Sequence, residues 1–194
     1  RSSLLPSLLA LLLTLTMLAL LTACGPSNSV KLIYSPGPNS VLPQPEAPRV
    51  TVVMFDDQRT NQNIGERKDG SAFTPSSLVA DWVGRSLGDE IGRQGSQVSY
   101  ATTMGQAKSA NPEYIVSGVV REVWIKENSS TSLTATIRIA VTVSNRKGVV
   151  YSENLSSSQE RQALPMSSVA DKLLSDTLRD LLVPAAKKIQ QQLR

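Results

Sequence analysis

Two neighbouring stretches of the chain place acidic and basic side chains close enough in sequence to support chemistry. Residues 56–61 read Asp-Asp-Gln-Arg-Thr-Asn, and residues 66–69 read Glu-Arg-Lys-Asp. The carboxylates of Asp56, Asp57 and Glu66 could hold a divalent cation or serve acid–base catalysis. Consecutive acids at the end of a strand usually point in opposite directions, and Arg59 supplies a counter-charge within the cluster. A structural or solvated loop is the favoured interpretation, and a metal-dependent or acid–base hydrolase is the alternative.

The composition excludes the commonest catalytic sites. The 194 residues include no His and a single Cys, Cys24. Without His there can be no Ser-His-Asp triad and no Cys-His pair, and a zinc site would lack its usual ligands. Lys and Arg number 20 against 16 acidic residues, and this slight excess is scattered along the chain rather than clustered. We therefore expect no enzymatic activity, no cofactor, no bound metal and no nucleic-acid partner.

The single cysteine has the sequence context of a lipid attachment site. Residues 8–21 contain only Leu, Ala, Met and Thr, which is typical of the apolar core of a signal peptide rather than of a spanning helix. Cys24 follows directly after Leu-Thr-Ala, which resembles the lipobox of bacterial lipoproteins. This resemblance implies cleavage before Cys24 and acylation of the new N-terminus, and several acyl chains hold a protein at a membrane essentially permanently. The alternative is an ordinary signal cleaved after Ala23, with an incidental free thiol.

The sequence predicts three segments. Residues 1–23 form the cleaved lipoprotein signal, residues 24–49 form a Pro-rich tether, and residues 50–194 form one periplasmic domain. Six prolines between positions 26 and 48 disfavour helix and interior strand. We expect the tether to hold the domain some tens of ångströms from the bilayer, although residues 30–34 could dock as an edge strand. By its similarity to lipoproteins, a chain with Gly25 in place of Asp is expected to be sorted to the outer membrane. Because the chain opens on Arg1, we expect the given sequence to begin late within its signal peptide.

Hydrophobic patterning predicts an α+β domain with the element order β-α-β-β-β-β-α. Strict alternation over residues 133–144 indicates a half-buried antiparallel strand, and residues 50–55 form an apolar run typical of a strand buried on both faces. Thr74 and Pro75 predict the start of a helix that stops near Gly95. Pro184 is expected to kink or split the C-terminal helix, which Ser167 or Ser168 would cap. We expect a mainly antiparallel sheet with the two long helices packed on one face.

Three glycines recur at every fourth position of the first long helix. Gly84, Gly88 and Gly92 border its apolar arc, although each glycine costs a helix about 1 kcal/mol relative to Ala. Something must therefore approach this face closely. The favoured candidate is the sheet or the C-terminal helix of the same domain, and the alternative is an external partner helix.

Taken together, these features resemble the YajG-type bacterial lipoproteins. The resemblance covers the lipobox, the Pro-rich tether, the strand that runs into Asp57-Gln58-Arg59-Thr60, the helix ending near Gly95 and the Leu-rich C-terminal helix. That family is similar in architecture to the N-terminal domain of TolB and to the curli secretion lipoprotein CsgG. The resemblance implies a non-enzymatic envelope protein, and it supplies no catalytic residues.

The function expected from the sequence is that of a binding or auxiliary module anchored to the outer membrane through acyl chains on Cys24. Its partner would be an envelope protein, peptidoglycan or a lipid carrier. The candidate contact residues lie in the polar loop and on the glycine face: Asp57, Gln58, Arg59, Thr60, Gly84, Gly88 and Gly92. An enzyme would need its carboxylates to converge in a concave pocket, whereas a binding module needs only an exposed face.

Overall fold

A computed structural model describes residues 27–38, 40–164 and 166–193 of the chain, without the side chain of Ser167. The predicted signal peptide and Cys24 lie outside these residues, so cleavage and lipidation stay predictions. Within the described part the chain forms nine strands and three helices. The strands are β1 (Ser29–Val30), β2 (Arg49–Val53), β3 (Asp56–Asp57), β4 (Gly65–Glu66), β5 (Ala72–Pro75), β6 (Gln97–Ala101), β7 (Tyr114–Ser129), β8 (Ser132–Asn145) and β9 (Gly148–Gln162). The helices are α1 (Val79–Arg93), α2 (Met104–Ser109) and α3 (Ser167–Gln192).

The sheet is built around the long strand β7. On one edge of β7, the strands β2, β3 and β4 pair with it in succession, all parallel to it. On the other edge, β8 and then β9 continue as an antiparallel meander. Strand β6 pairs parallel to β2, β5 pairs antiparallel to β4, and β1 pairs parallel to β5. The prediction of a mainly antiparallel sheet was wrong, since five of these eight pairings are parallel. Helix α1 precedes β6 and helix α2 joins β6 to β7, and each crossover returns the chain in the same direction, so β2, β6 and β7 run parallel.

The two long helices, α1 and α3, cover one face of this sheet, and the short helix α2 packs against the opposite face. Residues of α1 and α3 share one apolar core with β7 and β8. On the opposite face, Ala107 of α2 packs with Val53 and Ala101 in a separate small cluster. The predicted alternation of β8 is confirmed, because its inward residues are fully buried. These are Leu133, Ala135, Ile137, Ile139, Val141 and Val143.

Two predicted helix features differ from the structure. Helix α1 begins at Val79 after Leu78, not at Pro75, because Thr74 and Pro75 pair with β1 as part of β5. It ends at Arg93, and Gly95 follows with a positive φ of 99°, as the sequence indicated. Helix α3 runs through Pro184 as one continuous helix and is not split. The residue before α3 is Met166, which offers no side-chain cap.

The segment expected to be a free tether packs against the domain from Ser27 onwards. The side chain of Val30 is fully buried in the main core. The Lys31 amide donates to Asp171 Oδ1 of α3 at 2.8 Å, and the Tyr34 hydroxyl donates to Glu90 Oε1 of α1 at 2.7 Å. The described residues thus lie along the domain, and Val30, in the segment that was allowed to dock as an edge strand, pairs with β5. Proline excludes helix here, but it permits an extended segment. This segment, residues 27–38 and 40–48, is called the strap below, and it lies in the groove between α1 and α3.

Within the core, one close contact ties β7 to Phe55, the residue before β3. The ring of Phe55 lies directly over Gly118, where a Cβ atom would stand 2.3 Å from Phe55 Cε2 and 2.7 Å from the Ala140 carbonyl oxygen. Only glycine leaves room for this ring. The contact fixes where the chain leaves β2 and enters β3, and so positions the polar loop that follows.

Candidate binding site at the β3–β4 loop

The polar loop forms because the chain leaves the edge of β7 and returns to it. Strand β3 pairs with Val119 and Val120, and β4 pairs with Ile125 and Lys126. Between these pairings, residues 58–64 arch away from residues 121–124 of β7, and the β7–β8 register also shifts here. The arch encloses a pocket of about 360 Å³. Its lining residues are Arg59, Thr60, Asn61, Asn63, Arg121, Glu122, Val123 and Trp124.

Arg59 acts as an internal brace of the loop. Its side chain is only 6% exposed, and its Nε and Nη2 atoms donate to Asp57 Oδ1 and Oδ2, both at 2.8 Å. Its Nη1 atom donates to the Asn63 carbonyl at 3.5 Å, so the guanidinium links both ends of the arch. The hydrogen bonds from Arg59 lower the pKa of the Asp57 carboxyl below its usual range, which keeps the pair charged at neutral pH. The sequence nominated these two residues as contact residues, and the structure places both inside the loop framework.

The remaining predicted contact residues of the motif lie at the loop surface. Gln58 and Thr60 are exposed, and Gln58 Nε2 donates to Asp56 Oδ2 at 2.7 Å. Only two of the eight lining residues, Arg59 and Thr60, were nominated from the sequence as contact residues. The other six include the exposed Asn61 and Arg121 and the half-buried Trp124. Arg121 and Trp124 are about sixty residues away along the chain. No local sequence signal could have placed them beside the Asp57–Thr60 motif.

The three carboxylates of the hydrolase alternative do not share a site. Asp57 pairs with Val120 of β7, whereas Glu66 pairs with Lys126, six residues further along the same strand. At about 3.3 Å per residue, these positions are about 20 Å apart. Across the residues that the structure describes, no group of three potential metal-ligating side chains occurs. The loop therefore does not bring Asp57 and Glu66 to one metal ion or to one scissile bond.

The glycine face of α1 lies against the sheet of its own domain. A Cβ added at Gly84 would meet Phe55 at 3.4 Å, and one at Gly88 would meet Val52 at 3.5 Å. At Gly92 the nearest atom belongs to Val98, at 3.7 Å. Strands β2 and β6 thus make the close approach that the small residues permit, which was the favoured interpretation of this pattern.

A larger groove of about 580 Å³ runs beside the same helix. Residues 40–43 of the strap form one side of it, with the exposed Leu42 at its rim. Strand β6 provides Val98 and Tyr100 on the other side, and Gly88 and Gly92 contribute to the lining. The Tyr100 hydroxyl donates to Asp81 Oδ1 at 3.0 Å, which orients the ring across α1. In contrast to the loop pocket, one wall of this groove comes from the strap.

Comparison with known proteins identifies the fold. The chain matches no known family model, and no curated protein matches it in sequence. Protein XCC0632 from Xanthomonas campestris, described under the family model DUF330, superposes with a TM-score of 0.63 at 13% identity, covering 86% of this chain and 96% of that chain. An uncharacterized protein superposes with a TM-score of 0.50 at 9% identity, covering 80% of this chain and 99% of that chain. At these identities the likeness establishes the fold alone.

Solved structures with lower scores include bacterial lipoproteins. Lipoprotein GNA1162 from Neisseria meningitidis superposes with a TM-score of 0.38 at 8% identity, covering 69% of this chain and 99% of that chain. A minor lipoprotein from Acinetobacter baumannii gives 0.37 at 12% identity, covering 75% of this chain and 91% of that chain. The specific resemblance to YajG-type lipoproteins stays a prediction. What the comparisons do establish is that the chain has the α+β fold of the Xanthomonas protein.

Proposed function

We propose that this chain is a lipid-anchored, non-enzymatic lipoprotein of the bacterial cell envelope that binds a protein partner at the β3–β4 loop. The anchor is Cys24, on the strength of the Leu-Thr-Ala-Cys-Gly sequence at positions 21–25. The site of attachment is the outer membrane, with the domain in the periplasm. The observation that supports the binding role is the brace inside the loop, in which the buried Arg59 side chain donates two hydrogen bonds to the Asp57 carboxylate.

A braced loop suits recognition because it is ordered before the partner arrives. Holding a loop in its binding geometry removes the entropic cost of ordering it on association. Arg59 is satisfied within the loop, and Thr60 and Asn61 line the pocket beside it. The Asn61 Oδ1 atom accepts from the Asn63 amide at 3.0 Å, which adds to the order of the loop. Arg121 and Trp124 line the same pocket, and Arg and Trp are the residue types that most often dominate binding energy. The pocket thus combines hydrogen-bonding groups with one aromatic anchor.

The arrangement supports binding better than catalysis. The Asp57 carboxylate is already occupied by Arg59, and Glu66 lies about 20 Å away along β7. The absence of His from the sequence removes the usual proton-transfer group. The polar pocket and the slight net charge of +4 also favour a protein or glycan partner over nucleic acid. An envelope protein is the partner that we propose.

The binding role is tested by filling the pocket without touching the brace. We expect Thr60→Arg to abolish co-purification of the partner from detergent-solubilised envelopes, because the long side chain occupies the pocket. Ser109→Arg, at an exposed position on α2, is the matched control and should recover the partner normally. Both variants should melt at the temperature of the parent protein. Recovery of the same proteins by all three chains would refute binding at this loop.

The anchor is tested separately by removing the thiol. We expect Cys24→Ser to be lost from the outer-membrane fraction, because the acyl chains supply nearly all of the membrane affinity. Unprocessed precursor would then accumulate in the inner membrane. Within the described residues no helix combines the length and the apolar character needed to cross a bilayer. A variant found in the outer membrane with its signal removed would contradict lipidation at Cys24.

A further inference from the structure

The beginning of the described chain is clamped to one end of the sheet. The buried side chain of Arg67 donates to the Ser27 carbonyl at 3.0 Å and to Asn28 Oδ1 at 2.6 Å. It also pairs with Glu127 at 3.4 Å and stacks on the Phe73 ring at 4.5 Å from the ring centroid. Glu127 lies two residues before the end of β7, next to the β7–β8 turn. Ser27 is therefore held at the turn end of the sheet.

This clamp leaves little chain between the domain and the proposed anchor. Ser27 is three residues after Cys24, and consecutive Cα atoms are about 3.8 Å apart, so the two Cα atoms lie within about 11 Å of each other. Each polar layer of a bilayer is about 5–8 Å thick, given a core of about 30 Å within a total of 40–45 Å. A lipidated Cys24 at the membrane interface would therefore bring the β7–β8 turn to the headgroups.

Two exposed apolar side chains lie at this same end of the domain. The amide of Ala163 donates to the Thr131 carbonyl at 2.9 Å, which holds the segment after β9 against the β7–β8 turn. Leu164 and Met166 follow, with 66% and 57% of their surfaces exposed. The register runs from Glu127 of β7 through Leu133 of β8 to Arg161 of β9. Strands β7 and β9 are thus two strand spacings apart, so this segment begins about 10 Å from the clamp.

We propose that the turn end of the domain lies on the bilayer surface and that Leu164 and Met166 insert into the leaflet that carries the acyl chains. This inference rests on the proposed lipidation of Cys24. It assigns an orientation to the domain: the β7–β8 turn faces the membrane, and the β8–β9 turn at Arg146 and Lys147 points into the periplasm. The apolar pair becomes a second, weaker membrane contact beside the covalent anchor.

The chemistry of this end fits a lipid surface. The turn itself, residues 128–131, reads Asn-Ser-Ser-Thr and carries hydroxyl and amide groups without charge. Nearby charges are mixed in sign, with Lys68 and Lys126 exposed beside Glu66 and Asp69. Neither sign dominates, so insertion of the apolar side chains rather than attraction to anionic lipid provides the contact. An interface of this kind is insensitive to salt.

The test places a polarity-sensitive fluorophore at the membrane-facing segment. The parent chain has one Cys, and lipidation blocks its thiol, so Leu164→Cys supplies a single labelling site. Leu42→Cys is the matched control, because Leu42 is 84% exposed and lies away from the β7–β8 turn. The amide of its neighbour Val41 donates to the carbonyl of Arg93, at the C-terminal end of α1. Both labelled full-length proteins are reconstituted into vesicles of phosphatidylethanolamine and phosphatidylglycerol. Emission is then recorded with and without nitroxide-labelled lipids.

We expect the label at position 164 to emit at shorter wavelength in vesicles and to be quenched by nitroxide lipids, while the label at position 42 does neither. Equal emission from the two labels, in proteins that float with the vesicles, would overturn the proposed orientation. Shielding of position 164 in native envelopes but not in pure lipid vesicles would also overturn it and assign the patch to a protein. Failure of lipidation has a different signature, since the parent chain would then take up the label at Cys24 and would not float.

Discussion

The brace between Asp57 and Arg59 makes a quantitative prediction that separates a structural role from a recognition role. In Asp57→Ala the buried Arg59 guanidinium loses both 2.8 Å hydrogen bonds and keeps only the 3.5 Å contact with the Asn63 carbonyl. Breaking a fully buried ion pair from one side costs about 3–5 kcal/mol. The Asp57 side chain is 32% exposed, so water screens part of this effect. We therefore expect the free energy of unfolding to fall by about 2–3 kcal/mol.

The reverse substitution should cost less. In Arg59→Ala the Asp57 carboxylate is left at a partly exposed position, where water can hydrate it, so we expect a loss of about 1–2 kcal/mol. The double variant loses the pair as a unit and should cost about 1–2 kcal/mol less than the sum of the single changes. For a domain of this size, a loss of 2 kcal/mol lowers the melting temperature by roughly 4–8 °C. Chemical denaturation of the parent protein, the two single variants and the double variant gives the four free energies of unfolding of this double-mutant cycle.

The pH dependence of the same cycle has a defined sign. The pKa of Asp57 is lowered in the folded protein by its hydrogen bonds from Arg59. Its stabilising contribution is therefore complete above the unfolded-state pKa of about 3.9 and is lost as the pH falls through the folded-state pKa. The coupling energy should be the same at pH 7 and pH 5 and should decrease only in more acidic solution. Strictly additive losses at pH 7 would refute the brace and return both residues to the list of contact residues.

Two further comparisons test the packing that positions the loop. Ile139→Asp should destabilise the protein by several kcal/mol, because it buries an unpaired carboxylate, whereas Arg138→Ala on the exposed face of β8 should cost a few tenths; equal melting shifts would contradict the alternation of this strand. Gly118→Ala should cost about 2–3 kcal/mol, because its Cβ would stand 2.3 Å from a buried phenylalanine ring. Gly105→Ala in α2, where a Cβ meets nothing closer than 3.9 Å, should be neutral or stabilising by up to about 1 kcal/mol. Similar stabilities for both glycine variants would show that the ring can move aside.

Local sequence patterns determined the elements whose signals repeat along the chain. The alternation over residues 133–144 identified β8, because burial of one face imposes a two-residue period that no other element produces. The apolar arc of α1 and its stop at Gly95 were likewise visible, since a helix of this length repeats its pattern four times and needs a residue that tolerates positive φ at its end. The anchoring hypothesis at Cys24 also rests on a local motif.

Which strands pair, and whether they run parallel or antiparallel, was decided only by the tertiary structure. Alternation shows that a strand has one buried face, but backbone hydrogen bonds carry no sequence label, so the direction of the neighbouring strand is undetermined. The apolar run at residues 50–53 could sit in either kind of sheet. It is parallel to both neighbours because α1 returns the chain to β6, and α2 returns it to β7, in the same direction. The same limitation led Thr74 and Pro75 to be interpreted as a helix start. Their pairing with Ser29 and Val30 joins segments more than forty residues apart.

The candidate site divides in the same way. The sequence identified the polar Asp57–Thr60 motif, because a cluster of charges after an apolar strand is a local feature. It did not show that the Arg59 side chain would be buried in an ion pair with Asp57. Nor did it show that Arg121 and Trp124 would complete the pocket. Nor did the prolines of residues 26–48 reveal that the strap would fill the groove between α1 and α3. Burial depends on which distant segments converge, and that convergence minimises the free energy of the folded domain as a whole rather than that of any single segment.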